Sequence, residues 1–135
     1  MRLSHTLLAA LLVIVCCSCT TDITKNPTSR TDFITGGIYE IKRAVWVRNG
    51  SLMTLRDKEP LDSEGRIGPG TRVVVRQIML FRSPEMGTHT EVFAEVLSGD
   101  FKGRTVDLSV ISERSPTGYT RRDPAMLEAV QTEAK

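Results

Sequence analysis

From Gly37 onward the chain alternates apolar and polar residues at a period of two, interrupted by glycine, proline and short polar runs. Successive side chains of a strand point to opposite faces, so this alternation predicts half-buried strands. Ile38 to Arg48 places Tyr39, Ile41, Val45 and Val47 on one face, with Arg43 as the exception. Its β-branched and aromatic residues suit a pleated surface. Asn49-Gly50 predicts a turn. A polar stretch follows to Gly70, with Leu52, Leu55 and Leu61 as the expected anchors to the core. Thr71 to Phe81 is apolar on both faces: Val73, Val75, Met79 and Phe81 on one, Val74, Ile78 and Leu80 on the other. Such a strand bends between sheets or is covered on both sides. Ser83 to His89 reads as a loop, and Thr90 to Leu97 as a strand with Val92, Ala94 and Val96 on one side. Ser98 to Gly103 is a tight turn. Arg104 to Val110 then alternates, with Val106, Leu108 and Val110 inward and Thr105, Asp107 and Ser109 outward.

Short strands punctuated by turn signals predict a mainly β domain over residues 37–112. The long first loop and tight last hairpin resemble, in layout, an SH3-like barrel. An OB-type barrel or a small sandwich is the alternative. The eight inward positions Ile41, Val45, Val73, Val75, Val92, Val96, Val106 and Leu108 are the expected core, enough for residues 37–112 to fold alone. Residues 113–135 form a tail in which Asp123-Pro124 predicts the cap and first residue of a short helix, with Met126, Ala129 and Val130 on one side.

The segment before the barrel has a different texture. Thr20 to Gly36 is rich in threonine and serine, has one proline, and shows no apolar period. It predicts a flexible tether over residues 19–36, with a coil span of roughly 20–25 Å. Ahead of it, Arg2 supplies a basic start, and Thr6 to Val15 is an uncharged run of ten residues. A bilayer-crossing helix needs roughly 20 apolar residues. The order of basic start, short apolar core and small residues is that of a secretory signal over residues 1–18. All three cysteines, Cys16, Cys17 and Cys19, fall where that signal ends, which suits neither a disulfide framework nor a zinc site.

Ser18-Cys19 closes this run with a small residue and a cysteine, and here the sequence resembles the bacterial lipoproteins, whose signal ends at a cysteine that is acylated. The resemblance implies lipid attachment at Cys19, with Cys17 as the alternative. Cys16 departs from the usual pattern in both registers: it stands where leucine is usual ahead of Cys19, and where a small residue is usual ahead of Cys17. The resemblance also implies an N-terminal acyl anchor in a bilayer. In a host with two membranes it implies a periplasm-facing place on the outer membrane, because Thr20 stands where an aspartate would be a retention signal. The inner membrane, or a secreted periplasmic form without lipid, are the alternatives.

Composition narrows the chemistry. Cleavage before Cys19 removes Arg2 from 18 basic side chains and nothing from 16 acids, leaving near neutrality. A polyanion-binding protein would carry a strong basic excess, so nucleic acid is not an expected partner. Gly65, Gly68 and Gly70 lie in GRIGPG, but a phosphate loop needs a strand before it and a helix after it. His89 has no triad spacing around it, and Asp57, Glu59, Asp62 and Glu64 are interspersed with Arg56, Lys58 and Arg66. No catalytic residue, metal site or cofactor is assigned. Trp46, Phe93 and Phe101 are the candidate binding surface, since buried aromatics anchor interfaces. The expected function is that of a membrane-anchored envelope lipoprotein, a non-enzymatic module binding another envelope protein or peptidoglycan. An accessory subunit or regulator of an envelope enzyme is the alternative.

Overall fold

A computed structural model describes residues 19–54 and 59–130, with the side chains of residues 53 and 54 outside the description. The chain is mainly β, with its main sheet curled into a half-barrel. In chain order the strands are β1 (Cys19–Asp22), β2 (Ile38–Ile41), β3 (Val45–Arg48), β4 (Ser51–Thr54), β5 (Gly65–Ile67), β6 (Arg72–Ser83), β7 (Gly87–Val96), β8 (Thr105–Asp107), β9 (Glu113–Arg114), β10 (Thr120–Arg121) and β11 (Leu127–Ala129). Among the described residues nine strands make one sheet in the order β11-β2-β6-β7-β8-β4-β3-β5, with β1 also paired to β6. β9 and β10 form a separate hairpin.

The inward positions expected from the alternation are buried: Ile41, Val45, Val73, Val75, Val92, Val96, Val106 and Leu108 are all at most 1% exposed. The apolar run of β6 resolves through one extra residue. Val75 pairs with Ala94 and Gln77 with Phe93, so Arg76 is bulged out of register. A bulge shifts the parity of everything beyond it. Val73 and Val75 face the core before it, while Ile78 and Leu80 do so after it. Met79 and Phe81, expected on the face of Val73, are therefore only half-buried.

Several expectations are corrected. The strand over residues 38–48 is two strands broken by a bend at Arg43, which is where its alternation failed. The long polar stretch contains β4 and β5. Asn49 and Gly50, at φ 48° and 76°, make the two-residue hairpin turn between β3 and β4. Leu52 is buried but Leu61 is fully exposed, and Leu55 lies outside the described residues. Residues 84–86 alone connect β6 to β7, and His89 lies within β7. Val110 is half-exposed because Ser109–Ile111 is a 3₁₀ turn. The Asp107 carboxylate accepts from the Ser109 amide (2.9 Å) and hydroxyl (2.6 Å), the turn ends the period of two, and Ile111 goes inward instead.

The tail carries no helix in the described residues. Asp123 does cap a turn, accepting from the Ala125 amide at 2.8 Å, but the turn lasts one cycle. Leu127–Ala129 then pairs with Tyr39–Ile41. The open edge of β2 supplies backbone partners that an isolated helix turn lacks, and Leu127 is fully buried there, while Ala129 is exposed.

The largest correction concerns residues 19–36, which pack on the domain as part of it. β1 pairs with Met79–Arg82, the Ile23 amide donates to the Ile78 carbonyl at 3.0 Å, and Gly36 and Gly37 bond Val75. Phe33 is 2% exposed and meets the Tyr39 ring edge-on at 5.1 Å. Thr31 and Thr120 are buried, but the Thr31 hydroxyl donates to the Thr120 carbonyl (2.7 Å) and the Thr120 hydroxyl to the Thr90 carbonyl (2.8 Å). Buried hydroxyls are tolerated when bonded in this way.

Two outcomes follow. Phe33→Ala is expected to cost about 3–5 kcal/mol, the usual penalty for emptying a buried phenylalanine site, read as a clear fall in melting temperature. A fragment of residues 37–112 loses both Phe33 and Leu127 from the core, so it should lack the cooperative thermal transition of a fragment of residues 19–130. Matching transitions for the two fragments would contradict the packing role of the flanking segments.

Candidate functional site

The sequence marked Cys19 as the expected acylation site and Trp46, Phe93 and Phe101 as an expected binding surface, and assigned His89 no role. Cys19 is exposed and opens β1, opposite Arg82. All four residues of β1 are exposed, so backbone pairing and its C-terminal root hold the strand. The root is well bonded. The Asp22 carboxylate accepts from the Thr24 amide at 2.9 Å and from the Gln77 side-chain amide at 3.1 Å. The Thr24 hydroxyl accepts from the Ile78 amide at 3.0 Å, and Ile23 packs against the core. Hydrogen bonds from Thr24, first its side chain and then its amide, and from Gln77 hold the Asp22 carboxyl below the usual carboxylate range. Beside the root lies an open notch of about 850 Å³ lined by Asp22–Asn26, Arg76 and Gln77. Its charged side chains are all exposed, and Arg76 is paired with Glu95 at 3.0 Å.

The aromatic candidates separate. Phe101 is 8% exposed, belongs to the core cluster, and lies against Gly65, so a place on a binding surface is corrected. Arg104 covers its ring at 5.7 Å and is itself paired with Glu64. Trp46 and Phe93 are half-buried and share the outer face of the sheet, opposite the core residues Val45, Val47, Val92 and Ala94. In-register pairs trace the connection from Phe93 to Asp107, Ser51 and Arg48, two residues from Trp46. Three strand spacings put the two rings roughly 15 Å apart, so they are two points on one face and not a single apolar patch. Their surroundings differ in charge. Arg66, in register on β5, and Arg48, two residues along β3, flank Trp46, whereas Glu91 and Glu95 flank Phe93 along β7. The Trp46 indole Nε1 is buried without a hydrogen-bond partner among the described residues.

His89 is 7% exposed and stacks on Phe81, with centroids 5.2 Å apart and planes 8° from parallel. Its Nε2 lies 3.3 Å from Glu91, and its Nδ1 is buried without a partner among the described residues. The β9–β10 hairpin closes over this end: a Cβ on Gly118, which has φ +82°, would stand 2.0 Å from the Thr88 carbonyl oxygen. This packing was invisible in sequence, where Ser83 to His89 read as a loop.

The acids of the long loop turn to basic or hydroxyl partners. Asp62 pairs with Arg48 at 2.7 Å, Glu64 with Arg104 at 2.5 Å, and Glu59 accepts from Ser63. Asp57 lies outside the described residues. Elsewhere on the surface Lys42 pairs with Glu128 and Arg121 with Glu113. Such exposed pairs contribute little to stability, because water screens them and holding two long side chains together costs entropy. Comparison with protein-family models, with curated proteins and with solved structures finds no match for this chain.

The depressed pKa of Asp22 gives a pH test. A carboxyl whose folded-state pKa lies below its unfolded value, about 4, adds stability at higher pH and loses it as pH falls through the folded value. Protection factors of the β1 amides against hydrogen exchange should therefore drop below pH about 4. In Asp22→Asn they should start lower and lose this pH dependence; an unchanged profile would remove Asp22 as the root of β1.

Proposed function

We propose that the chain is a lipid-anchored envelope lipoprotein whose half-barrel is a non-enzymatic interaction module for another envelope protein or a wall component. The observation that carries the reading is the setting of Cys19. The uncharged run and Ser18 stand immediately before it in sequence, and in the structure it is an exposed residue of strand β1. A thioether and amide-linked acyl chains at that position need space outside the fold, and an exposed first residue of an edge strand has it. No helix among the described residues is long and apolar enough to cross a membrane. The expected place is the outer membrane facing the periplasm, because Thr20 follows the cysteine. The interaction face is the outer surface carrying Trp46 and Phe93, whose contrasting basic and acidic flanks suit a partner that also carries both signs of charge.

Growth with a clickable palmitate analogue should label the wild-type chain in the membrane fraction, and Cys19→Ala should lose the label and leave the membrane. Label that survives in Cys19→Ala but vanishes in Cys17→Ala would move the anchor upstream. An unlabelled wild-type chain in the soluble periplasmic fraction would replace the reading with a secreted protein.

A further inference from the structure

We infer that the β6–β7 hairpin tip is a membrane-contact surface, which orients the domain with its strands rising from the bilayer; this rests on the acylation of Cys19 proposed above. Three observations converge on one end of the molecule. First, β1 is antiparallel to β6 in the register Cys19↔Arg82, so the anchor leaves the domain beside the last residues of β6. Second, the anchor is held at that end. Asp22 pairs with Met79, and Ile23 is packed on the core with its amide bonded to Ile78. While β1 stays paired, Cys19 stays beside Arg82, with the opposite end of β7 roughly 30 Å away. Third, the tip has the right chemistry. Pro84 and Met86 are exposed, Met86 to 71%, and Arg82 is exposed with no ion pair among the described residues. A flexible apolar side chain enters the acyl boundary, and a guanidinium binds lipid phosphate bidentately. The occupant of this surface is therefore the phospholipid leaflet that holds the acyl chains.

The test uses the mature lipoprotein purified from its expressing host. With Cys19 acylated, the mature chain has no other cysteine, so Met86→Cys and Lys102→Cys each carry one thiol for a fluorophore. Lys102 sits in the turn at the opposite end of β7. Each variant is reconstituted into phosphatidylethanolamine–phosphatidylglycerol vesicles containing nitroxide-labelled lipid. Its fold is checked by circular dichroism and its lipid by intact mass. The fluorophore at position 86 should lose most of its emission to the lipid-borne quencher, while that at position 102 keeps it. Equal quenching at the two positions, with the acyl mass present, overturns the orientation and leaves the anchor standing. Absence of the acyl mass removes both.

Discussion

One edge of β6 accepts almost the whole N-terminal segment of the fold. Arg72–Val74 pairs with β2, Val75 bonds Gly36 and Gly37, Ile78 bonds Ile23 and Thr24, and Met79–Arg82 pairs with β1. Its other edge is fully paired with β7. Backbone groups of a buried strand need partners along their full length, and a twelve-residue strand with only β2 beside it would leave its second half open. The chain meets that demand by laying residues 19–24 along it. The bulge at Arg76 makes the arrangement compatible with one core. It turns the two halves of β6 so that Val73 and Val75, then Ile78 and Leu80, all face inward.

This explains which parts of the fold were legible in sequence. Alternation within a strand depends on local geometry, so the inward faces of β2, β3, β7 and β8 could be read directly from Ile41, Val45, Val92 and Val106. A bulge has no local signature in TRVVVRQIMLF, because both parities are apolar. The three-residue edge strands β5 and β11 were hidden because long-range pairing defines them and periodicity does not. Thr31, Thr90 and Thr120 were hidden for a chemical reason. A threonine hydroxyl that donates to a backbone carbonyl can be buried, yet in a linear reading it counts as polar and therefore as tether or surface. Phe33 was the one strong apolar mark in residues 24–36 besides Ile34, and it is the residue that seals the open side of the core.

The candidate site divides in the same way. Cys19 could be marked as an expected acylation site from the uncharged run and Ser18 before it, through the resemblance to bacterial lipoproteins. Its placement opposite Arg82 could not, because that register is a tertiary fact. The outer-face place of Trp46 follows from its parity with the buried Val45 and Val47. Phe101 lies in a turn, where parity has no meaning, and the gap above Gly65 takes its ring. Glycine there leaves room that any Cβ would fill, so the small residue in β5 and the large one in the β7–β8 turn are a matched pair.

With Cys19 acylated as proposed, an attachment beside Arg82 in place of a long tether would change what kind of partner the module can meet. A domain on a long coil samples a volume and can reach across the envelope to a distant wall component. A domain held within one strand length of its anchor presents fixed surfaces at fixed heights. With the hairpin tip at the bilayer, Phe93 stands roughly 20 Å along β7 from Gly87, and the outer face carrying it and Trp46 is turned sideways, parallel to the membrane normal. On that proposal, partners sharing the membrane would meet this face by two-dimensional diffusion, with part of the orientational binding cost met by the anchor. Two modest aromatic contacts ringed by charges of opposite sign would be a weak interface between free proteins; between neighbours held at the same height, the raised effective concentration favours the same contacts.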